Sequence, residues 1–302
     1  MEVSFLNRIL VDPETDEPLI FDNLSGTLKG PSSNKVYSFI EEVPCIMADD
    51  NLMADTEIHS KYGTKFHYAD HYQKDAAIFD YFQEVNNKAT GLELRRLQQS
   101  IIREITGEMS LILDAGCGGG WVSKVLVPSG KKVISMDVSP GNPVKAIREL
   151  KHKNHAGLIA DIYNIPLKGK SLDCIIASEV MEHLPDPRTF IIKMLKLLKK
   201  NGKLIITTPY NEKIEYYLCV HCNRPTPKNA HLYSFNESNI IQLIPEKGVK
   251  WKYDIFMNKY LLKIRADIVL GFLSFSMWRK IDKMFNFLYN YPARLKIVIV
   301  KD

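Results

Sequence analysis

The 302-residue chain is 45% hydrophobic, 10% aromatic and 25% charged, which suits a soluble globular protein and excludes collagen-like, low-complexity and acidic-disordered chains. Its 40 lysines and arginines against 35 aspartates and glutamates leave a formal charge of +5, too diffuse for a nucleic-acid-binding stripe. No apolar run approaches the roughly 18–20 residues of a membrane span. The first residues, Met1 to Phe5, lack the basic start and apolar stretch of an export signal, and the cysteines are few and scattered. A reducing, cytoplasmic setting is expected.

Residues 1–50 alternate short apolar stretches with turn signals at Pro13, Pro18, Pro31 and Pro44, the pattern of a small β-rich module. Such a unit buries little by itself and is expected to dock. Over residues 51–105 the signal turns helical, with Leu92, Leu94, Leu97, Ile101 and Ile102 at helical spacing. The aromatic stretch Tyr62 to Tyr68, with His67 inside it and His71 just beyond, reads as a lid. From residue 106 to 302, apolar runs alternate with amphipathic segments. The runs are Leu111–Leu113, Val133–Met136, Gly157–Ala160, Leu172–Ala177 and Lys203–Thr207. Short strands, apolar on both sides and separated by helices, imply an α/β, doubly wound, mostly parallel sheet. Trp251–Met257 and Leu295–Val300 add two strands, for a seven-stranded sheet, and residues 211–235 form an insertion loop.

In such sheets ligands bind beyond the carboxyl ends of the strands. Asp114, Asp137 and Asp161 end the first three runs there, and Glu179 follows the fourth. Acids in a row need a polar ligand or water. Asp114 opens the turn Ala115-Gly116-Cys117-Gly118-Gly119-Gly120. Trp121 stands where the third glycine of a dinucleotide fingerprint belongs, and the Gly-Lys-Ser/Thr of a phosphate loop is absent. An acid before the glycines repels a pyrophosphate and welcomes a cationic, amino-bearing ligand. Asp137 is placed to accept ribose hydroxyls, and Asp161 with apolar Ile162 to meet an adenine. Cys117, a small residue between glycines, reads as packing.

The segments LDAGCGGG, MDVSP, ADIYNIPL, LDCIIASEVMEHLPDP and GKLIITTP, in this order, resemble the class I S-adenosylmethionine-dependent methyltransferases. EVMEHLPDP is most similar to the quinone-biosynthesis O-methyltransferases and to small-molecule methyltransferases of polysaccharide clusters. The resemblance implies a Rossmann-like sheet with S-adenosylmethionine at its rim. Gly116 and Gly118 would pack on the methionine moiety and Asp114 would meet its amino group. Asp137 and Val138 would hold the ribose, Asp161 and Ile162 the adenine, while Glu179 and Val180 line the floor. Residues 9–13 and 42–46 also resemble a Trm112-like zinc ribbon, but a degenerate one: its cysteine pairs are missing, with Asp12 and Asp22 near two of their positions.

Methyl transfer to a hydroxyl requires a base. His183, just after the fourth strand, is the best-placed candidate catalytic residue, ahead of His67 and His71. Cys219 and Cys222, with His231 nearby, form a candidate zinc set, against the alternative of a plain insertion loop. Residues 268–291 alternate apolar residues with Arg279, Lys280 and Lys283, as a helix touching a membrane surface or one packed across the sheet edge. The expected activity is O-methylation of a small molecule or a glycan or lipid-linked intermediate. A catalytically silent, methyltransferase-like scaffold is the alternative. Nucleic acid is not the expected acceptor, since Ser178-Glu179-Val180-Met181 replaces the Asn/Asp-Pro-Pro-Tyr/Phe motif of amino-group methylases.

Overall fold

Apolar runs that a sheet can bury on both faces set the architecture. The computed structural model describes residues 5–47, 67–220 and 223–302. Near the amino end, β1 (Ile20–Asp22), β2 (Thr27–Lys29) and β3 (Val36–Tyr37) form a small antiparallel sheet, followed by the hairpin of β4 (Phe39–Ile40) and β5 (Val43–Ile46). The central strands are β6 (Leu111–Ala115), β7 (Lys132–Asp137), β8 (His155–Ala160), β9 (Leu172–Ser178) and β10 (Leu198–Pro209). An exposed hairpin, β11 (Tyr216–Leu218) and β12 (Pro225–Pro227), precedes the tail strands β13 (Val249–Asn258) and β14 (Pro292–Lys301).

The large sheet runs β13-β14-β10-β9-β6-β7-β8-β5-β4. Strands β5 to β10 pair in parallel within it, and β14 pairs antiparallel with both β10 and β13. The doubly wound reading is borne out, but the sheet has nine strands rather than seven. The reason lies in the first fifty residues. Cys45 and Ile46 pair with Ile159 and Ala160, covering an edge strand that would otherwise expose its polar backbone. Leu6, Leu10, Leu28 and Tyr37 are buried in the same core as the central strands, so the segment is docked rather than free-standing. Asp12 lies at its centre and accepts hydrogen bonds from the Ser33 hydroxyl and from the Glu14 amide at 2.8 Å. Hydrogen bonds around this one buried aspartate thus tie the turns of the segment together; the zinc-ribbon resemblance of the segment is not confirmed.

Alternate strand residues face opposite sides of the sheet. Leu113, Ile134, Ile175, Ile206 and Ile297 belong to one core, while Ile112, Val133, Cys174, Ile205 and Val298 belong to the other. Helix α1 (Tyr68–Ile78) and helix α2 (Lys88–Ile102), the latter capped by Asn87, precede β6. Further along, α3 (Trp121–Leu126), α4 (Gly141–Glu149) and α5 (Pro187–Leu197) alternate with the strands, and the short α6 (Glu237–Ile240) precedes β13. Asp186 caps α5 by accepting from the Thr189 amide, with Pro187 opening the first turn. The chain order reverses beside β6, with β7 on one side and β9 on the other, and this opens a crevice at the carboxyl ends of the strands. Among the described residues, no helix is long and apolar enough to cross a membrane.

Candidate active site

The crevice holds a cavity lined by Gly116, Gly118, Asp137, Val138, Ile162, Glu179, Val180 and His183, all singled out in the sequence, by Tyr68 at the end of the expected lid stretch, and by Tyr72, Tyr81 and Asn142, which the sequence did not mark. The glycine turn forms its base. Gly116 and Cys117 both donate their amides to the Met136 carbonyl at 2.9 Å, tying the turn to β7. Gly116 sits at φ +78°, and a Cβ there would lie 2.7 Å from a Val180 methyl. Only glycine allows this backbone and this approach together.

Asp137 is fixed by three donors: the Gly118 amide at 3.2 Å, the Asn142 side chain at 3.1 Å and the Ser139 amide at 3.0 Å. Burial pushes its carboxyl above the ordinary range, while these hydrogen bonds pull the other way. Asp114 is sealed beneath the turn, 2% exposed, and does not line the cavity. Burial, reinforced by Asp137, pushes its carboxyl well up, and one oxygen has no partner. Asp161 also lies off the lining, accepting the Tyr163 amide at 2.6 Å, whereas its neighbour Ile162 faces the cavity.

The opposite wall follows β9. Glu179 takes φ 56°, an uncommon left-handed backbone for a side-chain-bearing residue, and meets Arg294 of β14 at 3.1 Å. Arg294 also reaches Glu93 of α2 at 3.3 Å. The other Glu179 oxygen is buried without a partner, as are both oxygens of Glu182. Burial pushes both carboxyls up, that of Glu182 well up, with Glu179 adding to it. His183 is packed edge-on against Tyr72 at 5.4 Å and His231 at 4.8 Å between ring centroids. Burial, with His231 adding to it, lowers its pKa to about 4, so the ring is neutral at physiological pH. Tyr68 and Tyr72 bring buried hydroxyls that also lack partners. Buried polar groups are normally satisfied, so this concentration around one cavity marks a place built for a polar ligand.

The insertion reaches the cavity through backbone bonds to the β9 side. Leu232 and Tyr233 donate their amides to the Glu182 carbonyl, and Tyr233 donates its hydroxyl to the Pro185 carbonyl at 2.8 Å. These bonds carry His231 to the cavity. The proposed zinc set of Cys219, Cys222 and His231 is not supported: His231 bonds Glu212 at 2.5 Å and packs edge-on against His183, and the described residues that could gather around it as ligands are Glu182 and His183 rather than a cysteine. Cys222 lies outside the described residues, as do residues 62–66 of the expected lid. His67 is exposed, and exposed His71 meets Tyr72 edge-on, 4.9 Å between ring centroids. Cys117 is buried with its thiol pushed well up by burial, in keeping with packing. Glu182 was readable as part of EVMEH; Arg294, 115 residues beyond Glu179 (294 − 179), left no sequence signal.

Comparison with known proteins places this geometry. Residues 113–206 match the family described as Methyltransferase domain. The ubiquinone biosynthesis O-methyltransferase of Rickettsia canadensis is 28% identical over 170 residues, 52% of this chain and 72% of that one. The enzyme of the same name from Cereibacter sphaeroides is 35% identical over 150 residues, 46% of this chain, and the chain spans only 59% of its length. Among solved structures, an S-adenosylmethionine-dependent methyltransferase from Mesorhizobium loti aligns with TM-score 0.50 at 14% identity, covering 70% of this chain and 100% of that one. A related structure from Listeria monocytogenes gives the same TM-score and identity over 69% of this chain and 99% of that one. These two alignments establish a shared fold.

Proposed function

We propose that this chain, which carries a class I S-adenosylmethionine-dependent methyltransferase domain, methylates an oxygen of a small or lipid-linked acceptor beside His183. The observation that carries the reading is the pairing, in one cavity, of a rigid glycine–Asp137 base with a neutral, buried histidine. The residues fit the cofactor: the Gly116 cradle would be filled by any side chain, and one buried Glu179 oxygen on the cavity wall lacks a partner. Asp137 and Val138 would hold the ribose and Ile162 would cover the adenine. Gly116 and Gly118 would admit the methionine moiety, with Glu179 facing its amino group, while Asp114, expected there from the sequence, stays sealed beneath the turn.

When bound, S-adenosylmethionine supplies an electrophilic methyl on a sulfonium. The protein's task is then to hold the acceptor in line and keep water out, which contributes much of the rate. Tyr68, Tyr72 and Tyr81 form the wall that excludes water. His183 accepts the acceptor's hydroxyl proton as the new C–O bond makes that proton strongly acidic, so even a weak base suffices. His231, in ring contact with His183 and bonded to Glu212, gives the proton a way toward solvent. We place the enzyme in a reducing, cytoplasmic compartment; of the expected lid over residues 51–105, the described part that covers the cavity is the stretch bearing Tyr68, Tyr72 and Tyr81.

The test is transfer of a tritiated methyl group from S-adenosylmethionine to a panel of phenols, sugar hydroxyls and prenylated analogues. Label in at least one acceptor, lost in His183→Gln, supports the reading. Cofactor binding without transfer to any of them favours the silent scaffold.

A further inference from the structure

The segment after β13 carries an unusual surface. Helices α7 (Lys259–Lys263), α8 (Ala266–Leu270) and α9 (Phe275–Tyr289) cover the edge of the sheet. One side of α9 is anchored: Trp278 and Asp282 are buried, and Asp282 accepts the Met257 and Asn258 amides of β13 at 3.1 and 2.7 Å. The other side is apolar and open. Phe287 is 88% exposed, Phe272 82%, Ile264 72% and Leu288 60%. Along α9, Met277, Met284 and Leu288 fall on one stripe, with Lys280 and Lys283 beside it. Surfaces of this kind are rarely left to water.

Charge identifies what covers it. Residues 259–291 hold Lys259, Lys263, Arg265, Arg279, Lys280 and Lys283 against Asp267 and Asp282 only. Arg279 is neutralised by Asp254 and Asp282. None of the other five basic side chains has an ion-pair partner among the described residues, whereas Lys259 and Lys263 lie over the Tyr291 ring at 5.0 and 5.2 Å. Tyr260 joins that group, 5.4 Å from Tyr289 and 5.2 Å from Tyr291. Exposed apolar side chains among tyrosines and cations without an ion-pair partner among the described residues match the layers of an anionic bilayer surface: acyl boundary, phosphates and interfacial belt. A second copy of the chain would bring the same cations face to face.

The position adds a reason. Asn258 at the end of β13 pairs with Pro292, and Arg294, two residues on, pairs with Pro209 and meets Glu179. The α7 end of the patch therefore sits at the same end of the sheet as the cavity. We propose that the outward face of residues 259–291 docks this protein on an anionic membrane surface, presenting the cavity's end of the sheet to the interface. The inference deepens the lipid-linked version of the acceptor reading, but vesicle binding does not depend on any turnover.

The experiment is co-flotation of the full chain with vesicles of phosphatidylcholine alone or with one-third phosphatidylglycerol, at low and high salt. Expected is binding to the anionic vesicles that weakens with salt. It should drop about tenfold in Phe287→Ser/Leu288→Ser, and in Lys280→Glu/Lys283→Glu, whose changes are too exposed to disturb the core. S-adenosylhomocysteine binding by each variant, unchanged, verifies the fold. No flotation with anionic vesicles overturns the proposal. So does flotation that both variants retain, or a concentration-dependent dimer that the Phe287/Leu288 variant abolishes while wild type ignores vesicles.

Discussion

The two walls of the cavity are finished to different degrees. On the β6–β7 side, Asp137 is held by three protein donors, and the glycine turn is pinned to β7 through the Met136 carbonyl. On the β9 side, Glu179, Glu182 and Tyr72 leave buried oxygens without partners, and Glu179 adopts a left-handed backbone. The first wall fixes its cavity-facing acid without a ligand. The second leaves a cavity-facing acid, Glu179, with a buried oxygen open to a polar ligand. Rigid recognition of the invariant cofactor and a polar, unsatisfied face toward the reacting groups would divide the work between them.

If that division holds, damage to the two sides should have different signatures. The largest effect is expected for His183→Gln on the reactive side: kcat should fall by about 10²–10⁴-fold, with the S-adenosylhomocysteine dissociation constant nearly unchanged by titration calorimetry. Comparable losses in both would merge the two walls into one. Because the His183 pKa is lowered to about 4, kcat should stay level through neutral pH and decline only as the pH drops toward that value.

On the finished side, Asp137→Ala should weaken cofactor binding by ~1.5–3 kcal/mol, the loss of charge-assisted hydrogen bonds. An unaltered dissociation constant removes the ribose assignment. Gly116→Ala should cost about tenfold in affinity, since it adds left-handed strain and a Cβ 2.7 Å from Val180; wild-type affinity there would mean that the cradle is not used.

The smallest effects concern stability. His183 is depressed, so the unfolded chain binds its proton first, and its contribution is lost as pH falls from 6.5 toward about 4. Glu182 is shifted the other way: its folded form keeps a proton that the unfolded form loses, so stability falls as pH rises above 4.5. Glu182→Gln should therefore raise the melting temperature relative to wild type at pH 8, with the gain shrinking at pH 5. A variant no more stable at pH 8 than wild type would mean that Glu182 is ionised and paired.

What was legible in the sequence follows from locality. The glycine turn, Asp137 and Ile162 sit at strand ends, where alternation and topology fix their direction, so their arrival at one cavity could be read from the runs around them. Asp114 and Asp161 end strands too, but a half-turn of backbone decides whether such an acid faces the ligand or the protein, and no pattern encodes that. Pairing of Cys45 with Ile159 needs contacts across more than a hundred residues, so the docking of the amino-terminal segment was expected without its register. His231 was read as a partner of nearby cysteines because sequence distance is short there. The backbone bonds to Glu182 that carry it to His183 are a tertiary matter, and so is the reach of Arg294 to Glu179.

The most direct measurement is calorimetric titration of the purified chain with S-adenosylhomocysteine, alongside NADH and ATP as controls. One saturable site for the thioether nucleoside, weakened by Asp137→Ala and silent toward both phosphate-bearing nucleotides, is the expected result. Heat from NADH or ATP instead, or none from S-adenosylhomocysteine, would contradict the account at its root.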